Sequence, residues 1–294
     1  MIEQQFLVTE GSLGITLELD PAIVGQRDSY RLLQVTDCHL GETEGERLAG
    51  MDTDQSLDLV LDLIATEQRE KSAADLILAT GDLANHESAA AYRRLQRKLN
   101  ALKTPSAWLP GNHDSYQLMR DTVGEVQVPR VVVLGHWHVF LLDTAVPGRV
   151  GGRVGSRQLD ALARQLEVTP DNAHIIVALH HQPLAIGSEW LDEQRVEDGE
   201  ALLDVLAGDS RVKLVLWGHI HQEFETSDSR IPQARMIATP STCIQFAPQT
   251  EDFKLHNNAP GYRWVELNAD GSLDTGVERL QGVLLEQDLQ SSGY

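Results

Sequence analysis

Carboxylate, carboxamide and imidazole side chains recur in this sequence at the ends of apolar runs. RLLQVT (31–36) is followed by Asp37-Cys38-His39, DLILAT (75–80) by Gly81-Asp82, and SAWLP (106–110) by Gly111-Asn112-His113-Asp114. HIIVAL (174–179) leads into His180-His181, and VKLVLW (212–217) into Gly218-His219-Ile220-His221. Aspartate, asparagine and histidine are the hard-to-borderline ligands of divalent metals. One such piece arises by chance in most proteins of this size, but five in order at the ends of strand-like runs point to a metal site. On extended backbone, the i, i+2 spacing of Asp37/His39 and of His219/His221 turns both side chains to one side. Glycines at 81, 111 and 218 are expected to let the chain turn tightly where the ligands fan out.

These runs alternate with helical patterns. Asp54–Glu70 carries Leu57, Val60, Leu61 and Ile64 on one 3.6-residue face. Tyr92, Leu95, Leu99 and Leu102 make a second stripe, Leu159, Leu162 and Leu166 a third, and Glu200–Ala207 a short fourth. Short buried strands between helices predict a layered α/β fold, whose sites form outside the carboxyl ends of the strands. VVVLGHWHVFLL (131–142) reads as a further strand. Beyond residue 234, ARMIATP, GYRWVEL and SLDTGVERL read as extended, the last pair joined by a turn at Asn268–Gly271. The closing EQDLQSSGY reads as a loose polar tail unless a partner orders it.

The set D-x-H, G-D, G-N-H-D, H-H and G-H-x-H resembles the calcineurin-like metallophosphoesterase superfamily. QVTDCHL, ATGDLA, WLPGNHD, LHHQPL, GHIHQE and ATPSTCIQF look more narrowly like the bacterial class III 3′,5′-cyclic-AMP phosphodiesterases, from about residue 30 to 280. The resemblance implies a four-layer αββα sandwich, one domain over 1–294 with a polar tail at 281–294. It also implies two divalent ions, Fe²⁺, Mn²⁺ or Zn²⁺, bridged by Asp82. Asp37, His39 and His221 would complete one site, and Asn112, His180 and His219 the other. The implied reaction opens 3′,5′-cyclic AMP to 5′-AMP by in-line attack of a metal-bridging hydroxide. His113 would stabilise the transition state or protonate the leaving oxygen, and His39, Asp82, Asn112, His113, His180 and His221 would contact substrate. The alternatives are another phosphoester substrate, or a scaffold that keeps the fold without catalysis.

Composition bounds the partners. The 294 residues hold 24 basic and 44 acidic side chains, a formal net charge of −20, which excludes the basic face of a nucleic-acid binder and a polybasic membrane anchor. An anionic substrate therefore needs a local cation. No apolar run reaches the roughly 18 residues that span a bilayer. The start, MIEQQFLVTEGSLG, lacks the basic and apolar regions of a secretory signal. Two cysteines make no disulfide framework, so a cytoplasmic protein is expected, monomer or dimer.

The remaining candidates divide. Asp114 is expected either to orient His113 or to cap the following helix. His181 is read mainly as packing beside a ligand, and His86 as either lining the site or starting a helix. His136 and His138 are read as structural residues within a strand, and Cys38 as turned into the core. His174 and His256 have no motif around them. Ser241, Thr242 and Phe246 are candidates for reading a nucleoside, with packing of a sheet edge as the alternative.

Overall fold

The computed structural model describes residues 5–25 and 27–293. The first four residues, part of the reading of the N-terminus, and Tyr294 of the tail lie outside the described residues.

The chain begins with a hairpin, β1 (Phe6–Glu10) and β2 (Ile15–Leu19), then a single turn of helix, α1 (Pro21–Val24). β3 (Ser29–Val35), the small pair β4 (Arg47–Leu48) and β5 (Met51–Asp52), and α2 (Thr53–Glu70) follow. Next come β6 (Leu76–Thr80), α3 (Ala89–Ala101), β7 (Ser106–Leu109) and α4 (Tyr116–Val123). β8 (Val131–Leu134), β9 (Trp137–Leu141), α5 (Ser156–Val168) and β10 (His174–Ala178) lead to α6 (Glu189–Asp192) and α7 (Gly199–Leu206). The last part holds β11 (Val212–Trp217), β12 (Phe224–Thr226), β13 (Arg235–Ala238), β14 (Gln245–Phe246), β15 (Leu255–His256), β16 (Gly261–Asn268) and β17 (Leu273–Arg279).

Two sheets stack face to face. One has eight strands in the order β1-β2-β8-β9-β10-β11-β13-β12, the other five in the order β17-β16-β3-β6-β7. The two-residue period of each strand divides its side chains between two layers. Leu32, Leu78, Leu109, Ile176, Leu214, Ile237 and Val265 meet between the sheets. Leu33, Val35, Ile77 and Trp108 face outward onto α2, α3 and α4, while Val177, Val215, Trp217 and Met236 face α5, α6 and α7. Buried on both faces, these strands read as continuous apolar runs. The four layers are the αββα sandwich expected. β3, β6 and β7 run parallel, as do β9, β10, β11 and β13. The loops that carry the expected ligand residues therefore leave each sheet at one end.

The helices lie where the periodicity puts them, and three segments do not follow the reading. Residues 131–142 are a hairpin, with Gly135 at φ 60° where a side chain would overlap Tyr30. His136 thus sits in the turn and only His138 on a strand. The N-terminal hairpin, unread in the sequence, extends the larger sheet through parallel pairing of β2 with β8. Part of the polar tail is docked: Asp288 N–H donates to the Ala49 carbonyl at 2.7 Å, and Leu285 packs against both helix-side cores.

Candidate metal centre

The loops after β3 and β6 are laced together by their backbones. Asp37 N–H donates to the Gly81 carbonyl at 2.9 Å, His39 N–H to that of Asp82 at 2.8 Å, and Leu40 N–H to that of Leu83 at 3.2 Å. This lacing holds strained backbone. Asp37, His39, Asp82, His219 and His221 all have positive φ, between 44° and 62°. The left-handed region costs a non-glycine residue about 1–3 kcal/mol and persists where the surroundings over-determine it, as at functional sites. The i, i+2 pairs therefore converge by left-handed turns beyond the strand ends, not by the strand pleat expected from the sequence. The glycine expectation holds. A Cβ on Gly111 would overlap Asp82 and stand 2.7 Å from His180 Nε2, and one on Gly218 would overlap Thr36.

Ligand-type atoms from both sheets gather above these loops. Asp37, His39 and His221 form one group within 4.8 Å, and Asp37, Asp82 and His180 another. His39 Nε2 stands 3.2 Å from His221 Nε2. His180 Nε2 lies 3.2 Å from Asp82 Oδ2 and 3.2 Å from Asn112 Oδ1. Second partners fix the rings. His180 Nδ1 donates to the Thr80 carbonyl and His221 Nδ1 to that of Ile244, both at 2.8 Å. Each donation turns Nε2 inward, as the outer hydrogen bond of a metal-ligating histidine does. Both Asp37 oxygens accept from His219 N–H at 3.1 Å, and Thr36 Oγ1 donates to one at 2.7 Å. Asn112 joins the cluster through His180, and so does His219, whose ring nitrogen stands within 4.8 Å of those of His180 and His181, so all seven residues expected as ligands come together.

The donor set fits cations. His219 is the clearest case: both ring nitrogens are buried, and neither has a hydrogen-bond partner among the described residues. A buried polar atom left so is costly unless a Lewis acid takes its lone pair. Burial also holds His39 and His219 neutral, well below the usual imidazole pKa. Burial opposes charge on Asp82 too, but the rings of His180 and His113 outweigh it and keep the carboxylate ionised. Burial likewise opposes charge on His180, yet Asp82 prevails and its pKa rises to about 9. The pocket thus draws a positive charge onto His180 Nε2.

His113 edges the same cluster. Its backbone N–H donates to Asp82 Oδ1 at 2.9 Å, and its Nδ1 donates to the Asn85 carbonyl at 2.7 Å. Nδ1 is thereby occupied and Nε2 is the ring's working atom. The Asn85 carbonyl was not singled out in the sequence, where a main-chain acceptor leaves no signal.

Asp114 does neither thing expected of it. Its oxygens accept from the amides of Leu83, Ala84 and Gly111 and from Tyr92 Oη at 3.0–3.1 Å, and Ser115 caps α4. It ties the Asp82 loop to the Asn112 loop instead, with burial pushing its pKa up to about 6. His181 is a satisfied neighbour: Nε2 donates to the Val150 carbonyl at 2.9 Å and Nδ1 accepts from Thr144 Oγ1 at 2.8 Å. His86 is exposed, 6.4 Å from the His113 ring and ahead of the α3 cap, Ser88. Cys38 is buried in the helix-side core, as expected. His174 approaches the Ala269 carbonyl at 3.2 Å and packs on Trp137, while His256 lies on β15; neither belongs to the cluster.

The 241–246 segment supports the centre from behind. Ser241 Oγ donates to the Asp37 carbonyl at 2.8 Å, and Ser241 and Thr242 are fully buried. The Phe246 ring, 2% exposed, stacks on His221 with centroids 4.0 Å apart. The face expected to meet a nucleobase meets the His221 imidazole.

Comparison with known proteins agrees with this geometry. A family model described as calcineurin-like phosphoesterase matches residues 30–223. The 3′,5′-cyclic adenosine monophosphate phosphodiesterase CpdA of Pseudomonas aeruginosa is 42% identical over 90% of this chain and 96% of its own length. The protein of the same name in Escherichia coli K12 is 41% identical over 90% and 94%. A purple acid phosphatase from yellow lupin seeds shares the fold with a TM-score of 0.63, at 14% identity, over 93% of this chain and 55% of its own.

Proposed function

The chain belongs to the calcineurin-like phosphoesterases, and from that premise we propose that it hydrolyses 3′,5′-cyclic AMP to 5′-AMP at a centre of two divalent ions. In this reading, which follows the family resemblance, Asp82 would be shared, Asp37, His39 and His221 would hold one ion, and Asn112, His180 and His219 would hold the other. This mixed imidazole, carboxylate and amide set suits Mn²⁺, Fe²⁺ or Zn²⁺ better than Mg²⁺. When bound, the pair supplies the positive charge a phosphodiester anion needs and acidifies water near neutral pH. One catalytic unit spans the chain, with its core at 30–280.

The protein's own residues then do three things. Asp82 is held ionised, with Oδ1 engaged by the His113 amide. The carbonyls of Thr80 and Ile244 hold His180 and His221 with Nε2 facing the centre. His113, its Nδ1 fixed on Asn85, carries a proton at Nε2 for the ribose 3′ oxygen when the P–O3′ bond breaks. Opening the ring consumes one water, whose oxygen ends on phosphorus. The two relatives named as cyclic-AMP phosphodiesterases support the substrate, and two free buried cysteines suit a cytoplasmic setting.

The orphaned ring of His219, among ligand-type atoms from both sheets, carries the metal reading. Turnover of 3′,5′-cyclic AMP, 3′,5′-cyclic GMP and 2′,3′-cyclic AMP, measured with added Mn²⁺, tests the substrate. The expected order puts 3′,5′-cyclic AMP first. A preference for the 2′,3′ ring would move the activity to another phosphodiester.

A further inference from the structure

The apolar layer between the sheets gives way to a polar one beneath the metal centre. Leu32, Leu78, Ile237 and Val265 belong to the apolar layer. Two positions along the same faces stand Gln34, Thr80, Thr239 and, on antiparallel β16, Arg263, all buried. Chemistry fixes the direction of the hydrogen bonds joining them. Arg263 only donates, from Nε to Thr239 Oγ1 at 3.1 Å and from Nη2 to the Ala238 carbonyl at 2.9 Å. Thr239 therefore turns its own proton to Gln34 Oε1. At its other end, Gln34 Nε2 donates to Thr80 Oγ1 at 2.7 Å and to the Trp217 carbonyl at 3.2 Å.

Two of the three partners of Gln34, Thr80 and Trp217, each stand two residues before a proposed ligand, and the third, Thr239, donates its N–H to the Trp217 carbonyl at 3.1 Å. The Thr80 carbonyl accepts from His180 Nδ1, and Thr80 stands two residues before Asp82. Trp217 stands two residues before His219. β3 and β6 belong to the five-stranded sheet, β11 and β13 to the eight-stranded one. One carboxamide thus clips the strand ends that deliver Asp37 and Asp82 to those that deliver His219 and His221.

We propose that Gln34 is a positioning residue: it sets the separation of the two sheets under the centre, and hence the spacing between ligands supplied by one sheet and those supplied by the other. The proposal rests on the two-metal reading. A methionine of similar length would fill the space but make none of the three bonds, leaving the strand ends free to shift.

The test is Co²⁺ titration of the chelator-treated full-length protein, followed by calorimetry and by the visible absorption of bound Co²⁺. Wild type takes up two equivalents per chain. Gln34→Met binds them about 10–100-fold more weakly, the usual loss when a group behind a metal ligand is removed, with an altered absorption band. Thr239→Val, which keeps Gln34 but removes the donor to Oε1, shifts both readouts the same way by less, and decides the matter if Gln34→Met does not fold. Both variants also lower the melting temperature of the metal-free protein, which a purely packing role would do as well. Lower melting temperatures with wild-type Co²⁺ affinity and band overturn the positioning role and leave the two-metal reading intact. Failure of the wild type to bind two equivalents overturns the two-metal reading itself.

Discussion

Replacing Phe246 by alanine separates a ring that supports the metal centre from a ring that reads the substrate. The Phe246 ring lies 4.0 Å from His221, nearly parallel at 11°, with Trp190 and Phe253 edge-on at 5.0 and 5.4 Å. Truncating a buried phenylalanine costs about 3–5 kcal/mol. At about 2 °C per kcal/mol for a chain of this size, the melting temperature falls by roughly 6–10 °C. His221 keeps its Ile244 hydrogen bond but loses the surface that fixes its tilt. Metal affinity should then drop about tenfold, near the low end for groups that orient a ligand. Turnover at limiting metal should fall by the same factor on cyclic AMP and on a small aryl phosphodiester, because the damage precedes any contact with the nucleoside. Thermal melting and steady-state kinetics on both substrates make the measurement. A raised KM for cyclic AMP alone, with melting temperature and aryl turnover unchanged, would refute the reasoning and return Phe246 to the substrate.

Other changes probe separate parts of the site. Asp82→Ala removes the shared ligand, so metal analysis should find fewer than two ions per chain and activity should vanish with every divalent ion supplied. His113→Ala should keep two ions while kcat falls about 10²–10⁴-fold, less on a nitrophenyl ester whose leaving group needs no proton. Equal losses on good and poor leaving groups would leave His113 only a charge-stabilising role. Gly111→Ala drives a methyl into Asp82 and toward His180, so metal uptake should fail although the overpacking itself costs only about 1–3 kcal/mol. Wild-type metal content in this variant would show that the loop yields.

The clustered Asp, Asn and His residues were legible because their types are chemically constrained and each follows an apolar run. The reason they converge was not. Strand pleat predicts a common side for Asp37 and His39, whereas left-handed turns place them, and φ leaves no mark on an aspartate or histidine in the sequence. The hairpin at 131–142 was hidden because both its strands are apolar and only Gly135 marks the turn. Asp114 was misread for a related reason: four donors converge on it from three separate segments, and such convergence exists only after folding. Phe246 and the Asn85 carbonyl share that cause. A local pattern identifies a group able to act, but tertiary packing selects its partner.

The proposed reaction needs two metal ions acting together on a cyclic phosphodiester. Stepwise return of Mn²⁺ to the chelator-treated protein, with 5′-AMP formation followed at saturating 3′,5′-cyclic AMP, tests that most directly. Turnover should be absent without metal and rise until it levels off at two equivalents per chain. Full activity at one equivalent, or hydrolysis that survives chelation, would contradict the two-metal requirement.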